Sequence, residues 1–241
     1  MSTLLIYTGG TIGMVKNDQG ILVPFSLDKL VKDSPGLATK FHNKELACVS
    51  LDPVKDSTDV NPQDWLSLKH LILSHQENHE NVLVLHGTDT MAYTCSAISF
   101  LMIGFDKNIA FTGSQLPIWE INSDGNVNID YALTVLDNLA SKQVKGQTLL
   151  CFGGQIFNGN RVSKFSTSLF NAFSGSEFVL DNQGNLSHHS NLLREIESIE
   201  NIETSVVLIK MHPGIQLENQ IEHLLSKPPK GILLESFGTG N

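Results

Sequence analysis

The chain has 241 residues, 41% hydrophobic and 17% charged, a composition that supports one large globular domain or two modest ones. Its formal net charge of −9, with no Lys/Arg-rich block, disfavours nucleic acid and anionic membranes as partners. No run reaches the ~18 apolar residues of a membrane span, and Met1-Ser2-Thr3-Leu4-Leu5-Ile6-Tyr7 lacks the basic start and apolar length of a secretory signal.

In chain order, strand-like and helix-like runs alternate. Thr3–Thr8 reads as the first strand and Leu46–Leu51 as the second. Asn61-Pro62-Gln63-Asp64-Trp65 opens a helix: Asn caps it, Pro fits the first turn, and an acid follows. Val82–Leu85 is a continuous apolar run of the kind buried on both faces of a parallel sheet. Thr90–Ile103 predicts a helix stopped by Gly104, Ile109–Thr112 a strand, Val127–Leu139 a helix and Thr148–Phe152 a strand. This rhythm implies a mainly parallel sheet with right-handed crossovers and flanking helices, an α/β fold.

After Phe152 the pattern changes. Asn158-Gly159, between Gln155-Ile156-Phe157 and Arg161-Val162, predicts a hairpin turn, and Asp181-Asn182-Gln183-Gly184 a further turn. Residues 185–204 are polar, with little periodicity, and read as a linker between a large domain, 1–184, and a smaller α/β domain beginning at 205–241. That second piece reads as a strand over Val206–Met211, a helix near Ile215–Leu225 and a strand over Gly231–Phe237. So short a β-α-β unit has little core of its own, so the second domain is expected to be only partly present. Cys48, Cys95 and Cys151 are odd in number, sit in apolar stretches and lie at no metal-ligand spacing; buried free thiols in a reducing, cytoplasmic compartment are expected.

Ligands of parallel sheets bind at the carboxyl ends of strands, so the residues just past each strand carry the most weight. Thr8-Gly9-Gly10-Thr11-Ile12-Gly13 and His86-Gly87-Thr88-Asp89-Thr90 both place a Gly-Thr pair there. If their strands are neighbours, Thr11, Thr88 and Asp89 share one crevice. The first segment is a poor dinucleotide fingerprint, because Thr8 stands where glycine is required and no acid ends a second strand about twenty residues on. Asp33 falls in a segment that reads as helix, and no Walker Gly-Lys-Ser/Thr occurs. Two readings remain for Gly-Gly-Thr. It is a tight strand-to-helix turn, or it is a threonine nucleophile beside backbone N–H groups that approach an oxyanion.

Asp56-Ser57-Thr58-Asp59 reads either as a helix cap or as a third loop offering hydroxyls to a carboxylate. Lys164 cannot be told by spacing from a solvated surface lysine. His70, His75 and His79 are offset by five and four, which does not place three ligands on one helix face; they and His188-His189 read as solvated, and no metal is expected.

These segments together resemble the L-asparaginases, particularly the cytoplasmic type I enzymes, from Leu5 through Asn241. The two threonine motifs, the second continuing as Met91-Ala92-Tyr93-Thr94, carry most of the likeness. Asp56-Ser57-Thr58-Asp59, Thr112-Gly113-Ser114-Gln115, Ser123-Asp124-Gly125 and Gly159-Asn160-Arg161 add to it. The resemblance implies hydrolysis of L-asparagine to L-aspartate and ammonia, with no cofactor or metal, by a homodimer or homotetramer. It implies Thr11 as nucleophile, Thr88, Lys164 and Asp89 as a second triad, and Gly10, Asp56, Ser57, Thr58 and Asp89 as substrate-binding. Asp89 would hold the substrate α-ammonium and Ser57 its α-carboxylate. A lysine acts as base only when neutral, which burial favours and a neighbouring carboxylate opposes.

The chain departs from the family in three places. Many relatives carry a tyrosine in the loop after the first motif, where Gly20-Ile21-Leu22-Val23-Pro24 has none; Tyr7 falls in a strand, and Tyr93 and Tyr131 in helices. Glu235 stands where some bacterial type I enzymes carry an effector-binding arginine. Family chains continue beyond Gly238-Thr239-Gly240-Asn241 by roughly another half-domain. Two other functions share these motifs or this pocket: the asparaginase-like subunit of a tRNA-dependent amidotransferase, and a non-catalytic amino-acid-binding protein. The first usually carries an extra N-terminal module, and the second would not require the full set Thr11, Ser57, Thr88, Asp89 and Lys164.

Overall fold

The N-terminal apolar run forms strand β1 (Thr3–Gly9), buried along its whole length. The structure, a computed structural model, describes residues 2–16, 19–20, 22–24, 26–178 and 199–240. A short antiparallel pair, β2 (Met14–Lys16) and β3 (Leu22–Pro24), follows the first motif. Helices α1 (Leu27–Asp33) and α2 (Pro35–His42) lead to β4 (Leu46–Lys55). Helix α3 (Pro62–Ser74) starts as its sequence predicts: the Asn61 side chain accepts from Gln63 N, and Asp64 closes a capping box on Asn61 N.

The remaining elements of this unit are β5 (Asn81–Leu85), α4 (Met91–Leu101), β6 (Asn108–Thr112), α5 (Gly125–Ser141), β7 (Thr148–Phe152), β8 (Gln155–Lys164) and β9 (Phe173–Glu177). Seven strands form one sheet in the order β4-β1-β5-β6-β7-β8-β9. The first five are parallel; β8 and β9 add antiparallel at the edge. Every residue of β5 and β6 is buried, as expected for strands covered on both faces. Full burial of Val82, Leu83, Val84 and Leu85 contributes about 1.5–3 kcal/mol for each side chain.

The strand order decides where a ligand can sit. The chain steps outward from β1 to β4, then crosses back to β5 on the other side of β1. The crevice at the carboxyl ends of β1 and β5 is therefore a topological switch point.

Two sequence expectations are corrected. Asn158-Gly159 is not a hairpin turn but lies inside the ten-residue strand β8. The chain reverses earlier, at Gly153 and Gly154, which both hold positive φ (58° and 75°), the backbone of a tight two-residue turn. Gly159 answers to packing instead: a Cβ there would lie 2.7 Å from Cys95 Sγ and 2.8 Å from Thr148 O. Cys95 and Cys151 are buried free thiols as expected, but Cys48, on the edge strand β4, is only half-buried.

The chain separates into two compact units, residues 1–200 and 201–241. In the second, β10 (Val206–Lys210) pairs in parallel with β11 (Gly231–Glu235), joined by α6 (Leu217–Ser226). Glu235 there pairs with Lys210 at 2.7 Å. The turn read at 181–184 and most of the linker read at 185–204 lie outside the described residues. Among the described residues no helix is long and apolar enough to cross a membrane.

Candidate active site

Three loops meet at the switch point, from β1, β4 and β5. Thr8 Oγ1 donates to Leu85 O at 3.0 Å, locking the ends of β1 and β5 together. Gly9 and Gly10 follow with φ of 124° and 88°, and Thr11 opens a 3-10 turn to Gly13. A Cβ on Gly9 would lie 2.0 Å from Lys55 O, and one on Gly10 would lie 2.3 Å from both Gly87 Cα and Gly87 N. The glycine pair is thus required by neighbouring backbone, from the end of β4 and from the second motif. This close approach places half-buried Thr11 beside the second motif.

The β4 loop supplies Ser57, which is buried, and a Cβ on Gly87 would touch its Oγ at 2.6 Å. Thr90 Oγ1 donates to Ser57 O at 2.6 Å, tying this loop to the second motif. Asp56 and Thr58 are exposed and occupied with each other: Asp56 Oδ1 accepts from Thr58 N and from Thr58 Oγ1, both at 2.9 Å. The cap describes what Asp56 does, while Ser57 is buried against Gly87.

Lys164 ends β8, seventy-six residues from Thr88 in sequence. Its Nζ donates to Thr88 Oγ1 at 2.8 Å and to Asp89 Oδ1 at 2.8 Å. The Lys164 side chain is 11% exposed and that of Asp89 53%, so a largely buried amine bridges a buried hydroxyl and a carboxylate open to the crevice. Lys164 is held in the site because the tight turn at Gly153-Gly154 sends β8 back antiparallel to β7, and because Gly159 lets β8 pack closely on Cys95 of α4.

The sequence by itself marks no role for His86 or Asp124. His86 is 2% exposed, and its Nδ1–H donates to Gly87 O at 2.7 Å, since a carbonyl can only accept. Burial pushes its imidazole down to about 4, so it is neutral at physiological pH. Asp124, just before α5, accepts from Gln115 N, Leu116 N and Asn128 Nδ2. An acid placed to cap a loop that follows a Gly-Ser-Gln strand exit was the signal available. None of the three tyrosines is part of the loop after the first motif. Tyr7 faces the core, where burial raises its hydroxyl to about 12; Tyr93 is exposed on α4, and Tyr131 packs from α5 against the core. Gly13 makes room for Tyr7: a Cβ there would lie 2.2 Å from its hydroxyl oxygen.

A largely buried amine in contact with a hydroxyl and a carboxylate, with a second hydroxyl on the neighbouring glycine turn, is equipped for nucleophilic acyl transfer. Comparison with known proteins is consistent with that chemistry. A family model described as the N-terminal region of asparaginase matches residues 2–194. L-asparaginase 1 of Escherichia coli is 32% identical over 252 aligned residues, covering 100% of this chain and 72% of that protein. The structure of the thermostable L-asparaginase of Thermococcus kodakarensis superposes with a TM-score of 0.77 at 28% identity, covering 100% of this chain and 72% of the other. That of L-asparaginase I from Vibrio cholerae gives 0.74 at 32% identity, covering 100% and 73%.

Proposed function

The chain belongs to the asparaginase family, and we propose that it hydrolyses the side-chain amide of L-asparagine to L-aspartate and ammonia with Thr11 as nucleophile. Thr11 Oγ attacks the amide carbon and forms a tetrahedral oxyanion. The C–N bond then breaks, the Thr11 proton leaves with the nitrogen as ammonia, and an aspartyl ester on Thr11 remains. Water attacks that ester, releasing L-aspartate and restoring the hydroxyl.

The observation that carries this reading is the contact of Lys164 with both Thr88 and Asp89, each at 2.8 Å, one loop away from Thr11. Lys164 and Thr88 relay the protons of the two steps, and Asp89, open to the crevice, holds the substrate α-ammonium. Ser57, buried against Gly87, takes the α-carboxylate, with Thr58, Asp56 and Gly10 lining the same pocket. The first domain, 1–184, carries all of these positions. Phe165, Leu169 and Phe170 follow Lys164 and are exposed, which suits an active site completed by a second copy in a homodimer or homotetramer. Free thiols at all three cysteines suit a cytoplasmic protein.

The test is ammonia release from L-asparagine and from L-glutamine by the full-length protein, beside a Thr11→Ala variant. Release from asparagine that disappears in the variant is expected. Release that survives in the variant would remove Thr11 from its role, and a folded wild-type protein that binds asparagine without releasing ammonia would favour a binding protein.

A further inference from the structure

We propose that Gln115 is a positioning residue that sets the direction of the Thr88 hydroxyl proton and couples it to the arch of residues 165–172. The inference rests on the reaction assigned above and concerns how Thr88 is presented to Lys164.

The two ends of the Gln115 carboxamide differ chemically, and its surroundings decide which end faces which partner. The Leu169 carbonyl lies 2.9 Å from Nε2 and can only accept, so the amino end must point to it. Oε1 is thereby turned to Thr88, 3.4 Å from its Oγ1. Thr88 Oγ1 already accepts from Lys164 Nζ at 2.8 Å. A hydroxyl has one proton to give, and in this arrangement it is directed at Gln115, not at Lys164.

The backbone around Gln115 is held independently of its side chain. Gln115 N donates to Asp124 Oδ1 and Oδ2 at 3.0 and 3.1 Å, and Leu116 N to Asp124 Oδ1 at 3.2 Å. Asn128 Nδ2 donates to Asp124 Oδ2 at 3.1 Å and to Gly113 O at 3.0 Å, while its Oδ1 accepts from Gly153 N at 3.0 Å. The loops after β6 and β7 are thus pinned to the start of α5, and removing the Gln115 amide leaves that scaffold in place.

The other partner is built just past Lys164. Phe165 N donates to Ala172 O at 2.9 Å, and Ser166 Oγ accepts from Ser168 N and Leu169 N at 3.3 and 3.1 Å. Residues 165–172 therefore form an internally bonded arch that presents the Leu169 carbonyl to Gln115. With its proton directed at Gln115, Thr88 keeps a lone pair aimed at Lys164 Nζ, the geometry in which the lysine can hand it a proton; without Gln115 the hydroxyl is free to turn that lone pair away. At 3.4 Å that bond is long, so it biases the hydroxyl without locking it.

Three variants of the full-length protein test this by ammonia release. Gln115→Met keeps the volume and removes both polar ends; it should lower kcat about tenfold while KM changes less than about twofold. In a Thr88→Ala background, read by single-turnover assay, the same change should have almost no effect, because there is no hydroxyl left to orient. Gln115→Glu keeps an acceptor but loses the donor to Leu169; its deficit should shrink as pH falls toward the carboxyl range, about 4.3, where protonation restores a donor. Wild-type kcat in Gln115→Met, or equal losses in both Thr88 backgrounds, would overturn the inference while the asparaginase reading stands. A pH-independent deficit in Gln115→Glu would overturn it even if the Met variant did not fold. A wild-type protein without ammonia release would remove the reaction and the inference with it.

Discussion

Replacing Gly10 with alanine tests the structural reasoning about the first motif most directly. Gly10 has φ 88° and ψ 171°, a region that is essentially closed to residues with a Cβ and costs ~1–3 kcal/mol of strain. The new Cβ would lie 2.3 Å from Gly87 Cα and Gly87 N, whereas ordinary contact begins at 3.4 Å. Both obstacles are backbone, so no side chain can rotate away, and the two motif loops must part by about 1 Å, adding ~1–3 kcal/mol of overpacking. The sum is roughly 2–6 kcal/mol, or a fall in Tm on the order of 10 °C for a protein of this size. A shift of ~1 Å between Thr11 and Thr88 should also cost about 10²-fold in kcat/KM. Thermal unfolding and ammonia release measure the two effects separately. Gly104→Ala is the control: its φ is also positive, 83°, but nothing lies within 4 Å of the added Cβ, so it should cost only ~1 kcal/mol and leave turnover unchanged. A Gly10→Ala protein that melted within about 2 °C of wild type and kept kcat/KM within about threefold would refute the argument that backbone contact dictates this turn.

Two further outcomes are expected. Lys164→Met should lower ammonia release by ~10²–10⁴, since it removes the one amine in contact with Thr88 and Asp89 among the described residues; near-normal turnover would show that the contact is structural only. Acid should destabilise the fold through His86, whose folded-state value is pushed by burial from 6.5 to about 4. The unfolded chain takes up this proton below about pH 6.5 and the folded chain only near 4, so the stabilisation is complete above 6.5 and is lost as pH falls toward 4. At about 1.4 kcal/mol per pH unit the loss is roughly 3 kcal/mol. Urea unfolding at pH 7 and pH 4.5 should show this loss in wild type and a smaller one in His86→Asn; equal losses would count against it.

Much of the fold is legible because its cause is local. The wholly apolar Val82–Leu85 and the cap Asn61-Pro62-Gln63-Asp64 specify a buried strand and a helix start from a few adjacent residues. The two threonine motifs could be placed at strand ends for the same reason. Asn158-Gly159 misleads because a turn signal has no force where two consecutive glycines have already reversed the chain and a helix needs a bare Cα to pack on. Lys164 has no local signature at all; the antiparallel return of β8 along β7 brings it to Thr88. Gln115 works through partners from 9 to 54 residues away and His86 through burial, and neither is written in their own neighbours. Residue type and short-range pattern decide which elements form and what chemistry is available. Which of those groups meet is decided by strand order and by backbone contacts between loops, because a catalytic distance of a few ångströms depends on long-range packing.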